Sequence, residues 1–198
     1  RRTSSTPGAH PNNGPTMPVS CLLEVGFSGI ACSVSNPGAR TFVYFANESE
    51  ITSYTDGTGD GVYEAIIFTG GAGLHRYEIA KDTLIARESL QGGEDDLSSY
   101  NHECEFRIKS MGVDARNAVQ DLNGPQMIAI VPTKNGEFIL LGKDNGMTVI
   151  TNDSTTDTDG YGETVILQST ENSEKRSFIL DTDEDTTLAL LESYVVAS

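Results

Sequence analysis

The stretch Met127–Gly142, MIAIVPTKNGEFILLG, limits the fold more than any other in the chain. Met127–Val131 and Phe138–Leu141 are two apolar runs of strand length, and Asn135-Gly136 lies between them. An Asn-Gly pair flanked by such runs is a strong local signal for a hairpin, because both residues tolerate positive φ. Pro132 falls at the end of the first run, where it costs at most one ladder hydrogen bond. Neither run alternates with polar residues, so the hairpin is expected to be covered on both faces.

The rest of the chain is read as that cover. Thr41–Ala46 (TFVYFA) is β-branched and aromatic, which predicts a strand. Ile51–Tyr54, Val62–Phe68, Leu74–Ala80 and Thr83–Leu90 continue the β pattern. The glycine-rich link Thr69–Gly73 suggests that the second and third of these form a hairpin. Tyr100–Ile108 alternates cleanly. Tyr100, His102, Cys104, Phe106 and Ile108 share one face, and Asn101, Glu103, Glu105 and Arg107 share the other, as in a half-buried antiparallel strand.

One internal helix is predicted over Asp114–Asn123. Asp114 is its N-cap, Ala115, Ala118, Val119 and Leu122 form its apolar stripe, and Asn123-Gly124-Pro125 is its stop. Met147–Thr151 reads as a short apolar piece, Asn152–Gly162 as a long polar loop, and Glu163–Thr170 and Arg176–Leu180 as the last strands. Thr186–Val195 reads as a terminal helix with Leu188, Leu191 and Val195 on one stripe, or alternatively as a swapped strand; the acidic residues before it favour the helix. The expected fold is mainly β: an antiparallel β-sandwich or barrel with one flanking α-helix, an extended N-terminal arm and a C-terminal helix. The divisions are residues 1–20, a disordered leader with Met17 as native start or an arm ordered by a neighbouring subunit; residues 21–183, the β-rich domain; and residues 184–198, a C-terminal helix or tail extension.

The net charge of -16 argues against a protein that grips nucleic acid through a basic surface. An acidic wall still lets DNA slide past, and acidity also serves solubility alone. Residues 151–198 carry eleven acids against Lys175 and Arg176. The three cysteines, Cys21, Cys32 and Cys104, form no closed disulfide framework and no zinc spacing; Cys21 and Cys32 could pair, but free and mostly buried thiols are the expected reading. No apolar run has transmembrane length, and the N-terminal residues lack the hydrophobic segment of a signal peptide.

Candidate chemistry is sparse. Asp56–Gly61 (DGTGDG) fits positions one, three, five and six of a calcium loop, but position twelve is Ile67, and a polar turn is the expected reading. Asp153, Asp157, Asp159 and Glu163 form a second acidic stretch, read as a solvated or subunit-facing loop in preference to a weak cation site. The glycine clusters match no phosphate-binding motif. His10, His75 and His102 lack metal spacing, and no serine sits in G-x-S-x-G. No catalytic residue, cofactor or metal is assigned.

Five segments resemble the tail tube proteins of tailed bacteriophages, especially those of phages of Bacteroides and its relatives. They are Arg40-TFVYFANESEITSYTDG, Leu74-HRYEIAKDTLIARESLQ, His102-ECEFRI, the helix followed by Met127-IAIVPTKNGEFILLGKDNGMTV, and Gly160-YGETVILQSTENS. The resemblance spans about residues 20–180. It implies a β-sandwich or barrel whose six copies close into rings, with rings stacking into a tube for DNA ejection. It also implies an acidic lumen with Glu103 and Glu105 as lining residues. The loops Ala46–Gly61 and Asn152–Gly162 would lap neighbouring subunits through Asp56, Asp60, Asp153, Asp157 and Asp159. The implied partners are further copies of the chain, other virion tail proteins and DNA passing without specific binding. The implied location is the virion tail, assembled in the host cytoplasm without membrane insertion. Two alternatives stand beside it: a neck, connector or baseplate ring of the same fold, and an acidic β-sandwich module that binds a ligand or carbohydrate. Against the module stand the absence of Trp, of an evident aromatic platform and of an export signal.

Overall fold

The structure, a computed structural model, describes residues 38–92, 99–157 and 161–196. The expected arm of residues 1–20, Cys21 and Cys32 lie outside the described residues. Strand content of 51% against 15% helix places the chain in the mainly β class, as two sheets with flanking helices.

The larger sheet has seven strands in the order β2-β3-β11-β8-β7-β1-β4. These are β1 (Phe42–Asn47), β2 (Ile51–Asp56), β3 (Val62–Phe68), β4 (His75–Glu78), β7 (Met127–Pro132), β8 (Phe138–Leu141) and β11 (Ser177–Ile179). The smaller sheet has the order β5-β6-β10-β9, built from β5 (Ile85–Gln91), β6 (Ser99–Ile108), β9 (Thr148–Thr155) and β10 (Gly162–Asn172). Helices α1 (Val113–Asp121) and α2 (Glu184–Ser193) complete the described elements.

The central hairpin is β7 and β8, paired antiparallel with Val131 opposite Ile139, and every residue of both strands is buried. Met127, Ala129, Val131, Ile139 and Leu141 face the smaller sheet and meet Cys104, Phe106, Val165 and Leu167. Ile128, Ile130, Phe138 and Leu140 face the other way, into a second core that contains Leu191 of α2. Two covers on one sheet account for the lack of alternation in its sequence. The reversal spans Lys134–Gly136, with the Thr133 N–H donating to the Glu137 carbonyl at 2.7 Å. Of the Asn-Gly pair only Gly136 takes positive φ (86°).

The larger sheet curls. β1 and β2 stand five places apart in the strand order, yet only the 3-10 turn Glu48–Glu50 joins them. A flat sheet would part these strands by about 24 Å. The link reaches at most about 14 Å. Bending brings Tyr44 of β1, Ile66 of β3 and Ile179 of β11 into the one cluster around Leu191.

Four expectations are corrected. β3 and β4 are not a hairpin: β3 pairs with β2 and β11, and β4 pairs with β1 at the far edge. Gly73, the last of the glycines between them, serves a crossing past the end of α2, where the Leu74 N–H donates to the Tyr194 carbonyl at 2.9 Å. A Cβ on Gly73 would stand 2.2 Å from that carbonyl oxygen. Helix α1 is capped at Gly112, with Asp114 inside its first turn, where a carboxylate faces the positive end of the helix. The stretch Asn152–Gly162 is not one loop, because β9 runs on to Thr155 and pairs with β10 through Gly162. Of the two readings of the C-terminal segment, the tail extension gives way to the helix, whose Leu191 is fully buried in the second core.

The stripe predicted for α1 holds, with Ala115, Val119 and Leu122 buried. The C-terminal segment is a helix and not a swapped strand. Its start is fixed by a capping box in which the Thr186 N–H donates to the Asp183 side chain at 2.8 Å. Its buried residues are Thr187 and Leu191, while Val195 lies past its end and bridges to Leu74.

Candidate assembly surface

The inner face of β6 is as its alternation predicts: His102, Cys104 and Phe106 are buried against the larger sheet. The outer face has no covering layer among the described residues. Register places Arg87 of β5 and Gln168 of β10 beside Glu103, Ile85 and Ile166 beside Glu105, and Thr164 beside Arg107. Asp153 of β9 lies opposite Thr164 on the same face.

Glu103 and Glu105 are partly exposed, at 25% and 28% of their side-chain surface, and one guanidinium nitrogen of Arg87 bridges both. The contact to Glu105 is 2.8 Å. Arg107 donates through Nε to the Thr164 hydroxyl at 3.0 Å. Three carboxylates and two guanidiniums therefore share this face, which is far closer to neutral than the chain as a whole. Exposed pairs of this kind add about 0.2–1 kcal/mol each to stability, so their main effect is on the surface potential.

β5 and β9 are the two edges of this sheet, and each leaves one side of its backbone without a strand partner among the described residues. Both carry exposed aliphatic side chains: Ile85 (38%) and Leu90 (59%) on β5, and Ile150 (53%) on β9. Ile150 falls where the register with β10 shifts, between the pairs Ile166–Thr151 and Leu167–Val149. Neither edge contains Lys or Pro, the residues that commonly guard open strands.

The acidic loop residues do not converge. Asp56 and Asp60 are exposed at the β2–β3 hairpin of the larger sheet, whose turn is closed by the Gly57 N–H donating to the Val62 carbonyl at 2.9 Å. Asp153 and Asp157 are exposed beside β9 of the smaller sheet, and Asp159 lies outside the described residues. Glu163 points to the opposite side of the sheet from Asp153. Among the described residues no group of three or more His, Cys, Asp or Glu side chains is arranged to hold a metal ion. No described helix is long and apolar enough to cross a membrane. His75 is exposed on edge strand β4. Burial pushes the Cys104 thiol up to about 12.

Two features were not legible in the sequence. The Gly142 N–H donates to His102 Nδ1 at 3.2 Å, tying the two sheets together. Arg87 sits on Glu103 and Glu105, a pairing that needs the β5–β6 register. No protein-family model, curated protein or solved structure matches the chain.

Proposed function

We propose that the chain is a structural subunit of a bacteriophage tail tube, forming rings by edge-to-edge joining of its smaller sheet. The observation that carries this reading is the pair of open edges, β5 and β9, each bearing exposed aliphatic side chains on opposite sides of one four-stranded sheet. A β5-to-β9 contact is head-to-tail, and such contacts close into rings when the rotation between copies divides a full turn. Six copies would close as a barrel of roughly 24 strands, about 48 Å across at the backbone for ordinary spacing and tilt. That bore passes a DNA duplex.

In this arrangement the outer face of the smaller sheet lines the bore. Glu103 and Glu105, each held by Arg87, present a polar and nearly balanced wall that offers DNA no basic grip. The hairpin loop with Asp56 and Asp60, together with Asp153 and Asp157, faces neighbouring copies, and other tail proteins bind the ends of the tube. Negative-stain imaging of concentrated purified protein tests the reading. Rings that stack into tubes support it; single rings that never stack favour a neck, connector or baseplate ring; a lone compact unit overturns it. Glu103→Lys with Glu105→Lys is expected to leave ring formation intact and to slow DNA ejection from particles carrying it, because the wall then attracts phosphate.

A further inference from the structure

We infer that the cleft between α1 and the ends of β9 and β10 is a binding site for a small zwitterion of the amino-acid class, with Glu163 receiving its ammonium group and Arg116 its carboxylate. The site starts from a misfit in a strand. Along β10 the positions Glu163, Val165, Leu167 and Ser169 are buried and turn toward the core. Glu163 is a carboxylate at a place where its neighbours are apolar, and it is only 5% exposed. Gly162 sets it there. Its φ of 121° and its contact with the Ile108 carbonyl, which a Cβ would approach to 2.2 Å, pin the start of β10 against the end of β6.

The Glu163 carboxylate has no hydrogen-bond or ion-pair partner among the described residues. It opens onto a cleft of about 480 Å³ shared with Ser154 and Asn152 of β9, Arg116 and Gln120 of α1, and Asn123 just beyond α1. That volume lies within the range of small-ligand sites. Arg116 is likewise unpaired among the described residues, and it does not reach Glu163. The cleft therefore holds one unanswered acceptor of cations on its inner wall and one unanswered donor to anions on its outer wall. The amides and the hydroxyl between them both donate and accept. A buried carboxylate gains most from a charged donor.

Other ligands fit less well. A divalent cation would find a single carboxylate here, in a cleft shared with a guanidinium that repels it. A sugar ring is usually seated on an aromatic face, and no aromatic residue lines the cleft. The inference rests on the cleft alone and is independent of the tube reading.

Calorimetric titration of the full chain tests it, with glycine and glutamine as zwitterions, ethylammonium as cation and propionate as anion. The expected result is saturable binding of a zwitterion in the millimolar range, weaker binding of either half, at least tenfold loss in Glu163→Gln, and loss of the propionate response in Arg116→Gln. Circular dichroism on both variants establishes that they fold; Arg116→Gln, on an exposed helix face, tests the site even where Glu163→Gln does not. Absence of saturable binding to wild-type protein, or unchanged binding in a folded variant, overturns the inference. So does strong coupling of Arg116 and Glu163 in a ligand-free double-mutant stability cycle, since the two would then satisfy each other.

Discussion

His102 is a buried base whose two nitrogens have different tasks. Nδ1 accepts the Gly142 N–H, so the neutral ring carries its proton on Nε2. Nε2 lies 4.0 Å from Glu88 and has no hydrogen bond of good geometry. Burial pushes its pKa below the ordinary 6.5; Glu88, Asp144 and the Glu174 carbonyl oppose this, and Arg176 adds to it. Protonation would place a second N–H against Gly142. Above pH 6.5 the ring is neutral folded or unfolded. As pH falls below 6.5 the unfolded chain takes up the proton first, so stability is lost until the folded pKa is reached. Urea midpoints are expected to fall between pH 7 and pH 5, and His102→Gln is expected to flatten that slope; equal slopes in both proteins would remove His102 as the cause. Cys104, fully buried with its thiol raised, is expected to resist thiol reagents in a Cys21→Ser, Cys32→Ser background until the protein unfolds. The period-two pattern of β6 made both residues legible as inward-facing. The Gly142 contact was not legible, because its partner is 40 residues away in sequence and on the other sheet.

At the scale of elements, strands and helices followed from local pattern, and their pairing did so only when the turn chemistry was local too. The β7–β8 hairpin carries its own turn. The link between β3 and β4 carries Gly73 for another reason, the passage of backbone beside Tyr194, about 120 residues further along the chain. The two uses of glycine separate by substitution. Gly73→Ala would drive a methyl group into the Tyr194 carbonyl and is expected to cost about 1–3 kcal/mol. Gly70 has open space around its Cβ position and no positive φ, so Gly70→Ala is expected to be neutral or stabilising by up to about 1 kcal/mol. Equal denaturation midpoints for the two variants would show that the crossing is not tightly packed. The Glu163 cleft was half legible: the sequence marked Glu163 as one of four nearby acids, but only the β9–β10 register sends it to the opposite face from Asp153.

For the whole molecule, the proposed tube reading turns on the pair of edges on the smaller sheet. Ile150→Lys places a charge on the β9 edge without touching either core. If the tube reading holds, the variant is expected to fold with a melting temperature near that of the wild type and to remain unassembled at concentrations where wild-type rings are expected. Analytical ultracentrifugation reads the outcome, and assembly as in the wild type would show that β9 is not the joining edge. The sequence could announce a sheet with one uncovered face, through the alternation of β6. It could not announce which strands end at its rims, since strand order depends on long-range pairing.

The position of α2 also has a consequence for biosynthesis. Every described strand precedes it in the chain, so ribosomes deliver the curved sheet before they deliver Leu191, the plug of its hollow side. Until that plug docks, the apolar side chains around Leu191, among them Tyr44, Ile66, Ile128 and Leu140, lack their cover. The interval between delivery of β11 and docking of α2, and any chaperone that shields the hollow meanwhile, would then govern how much of the chain reaches the folded state.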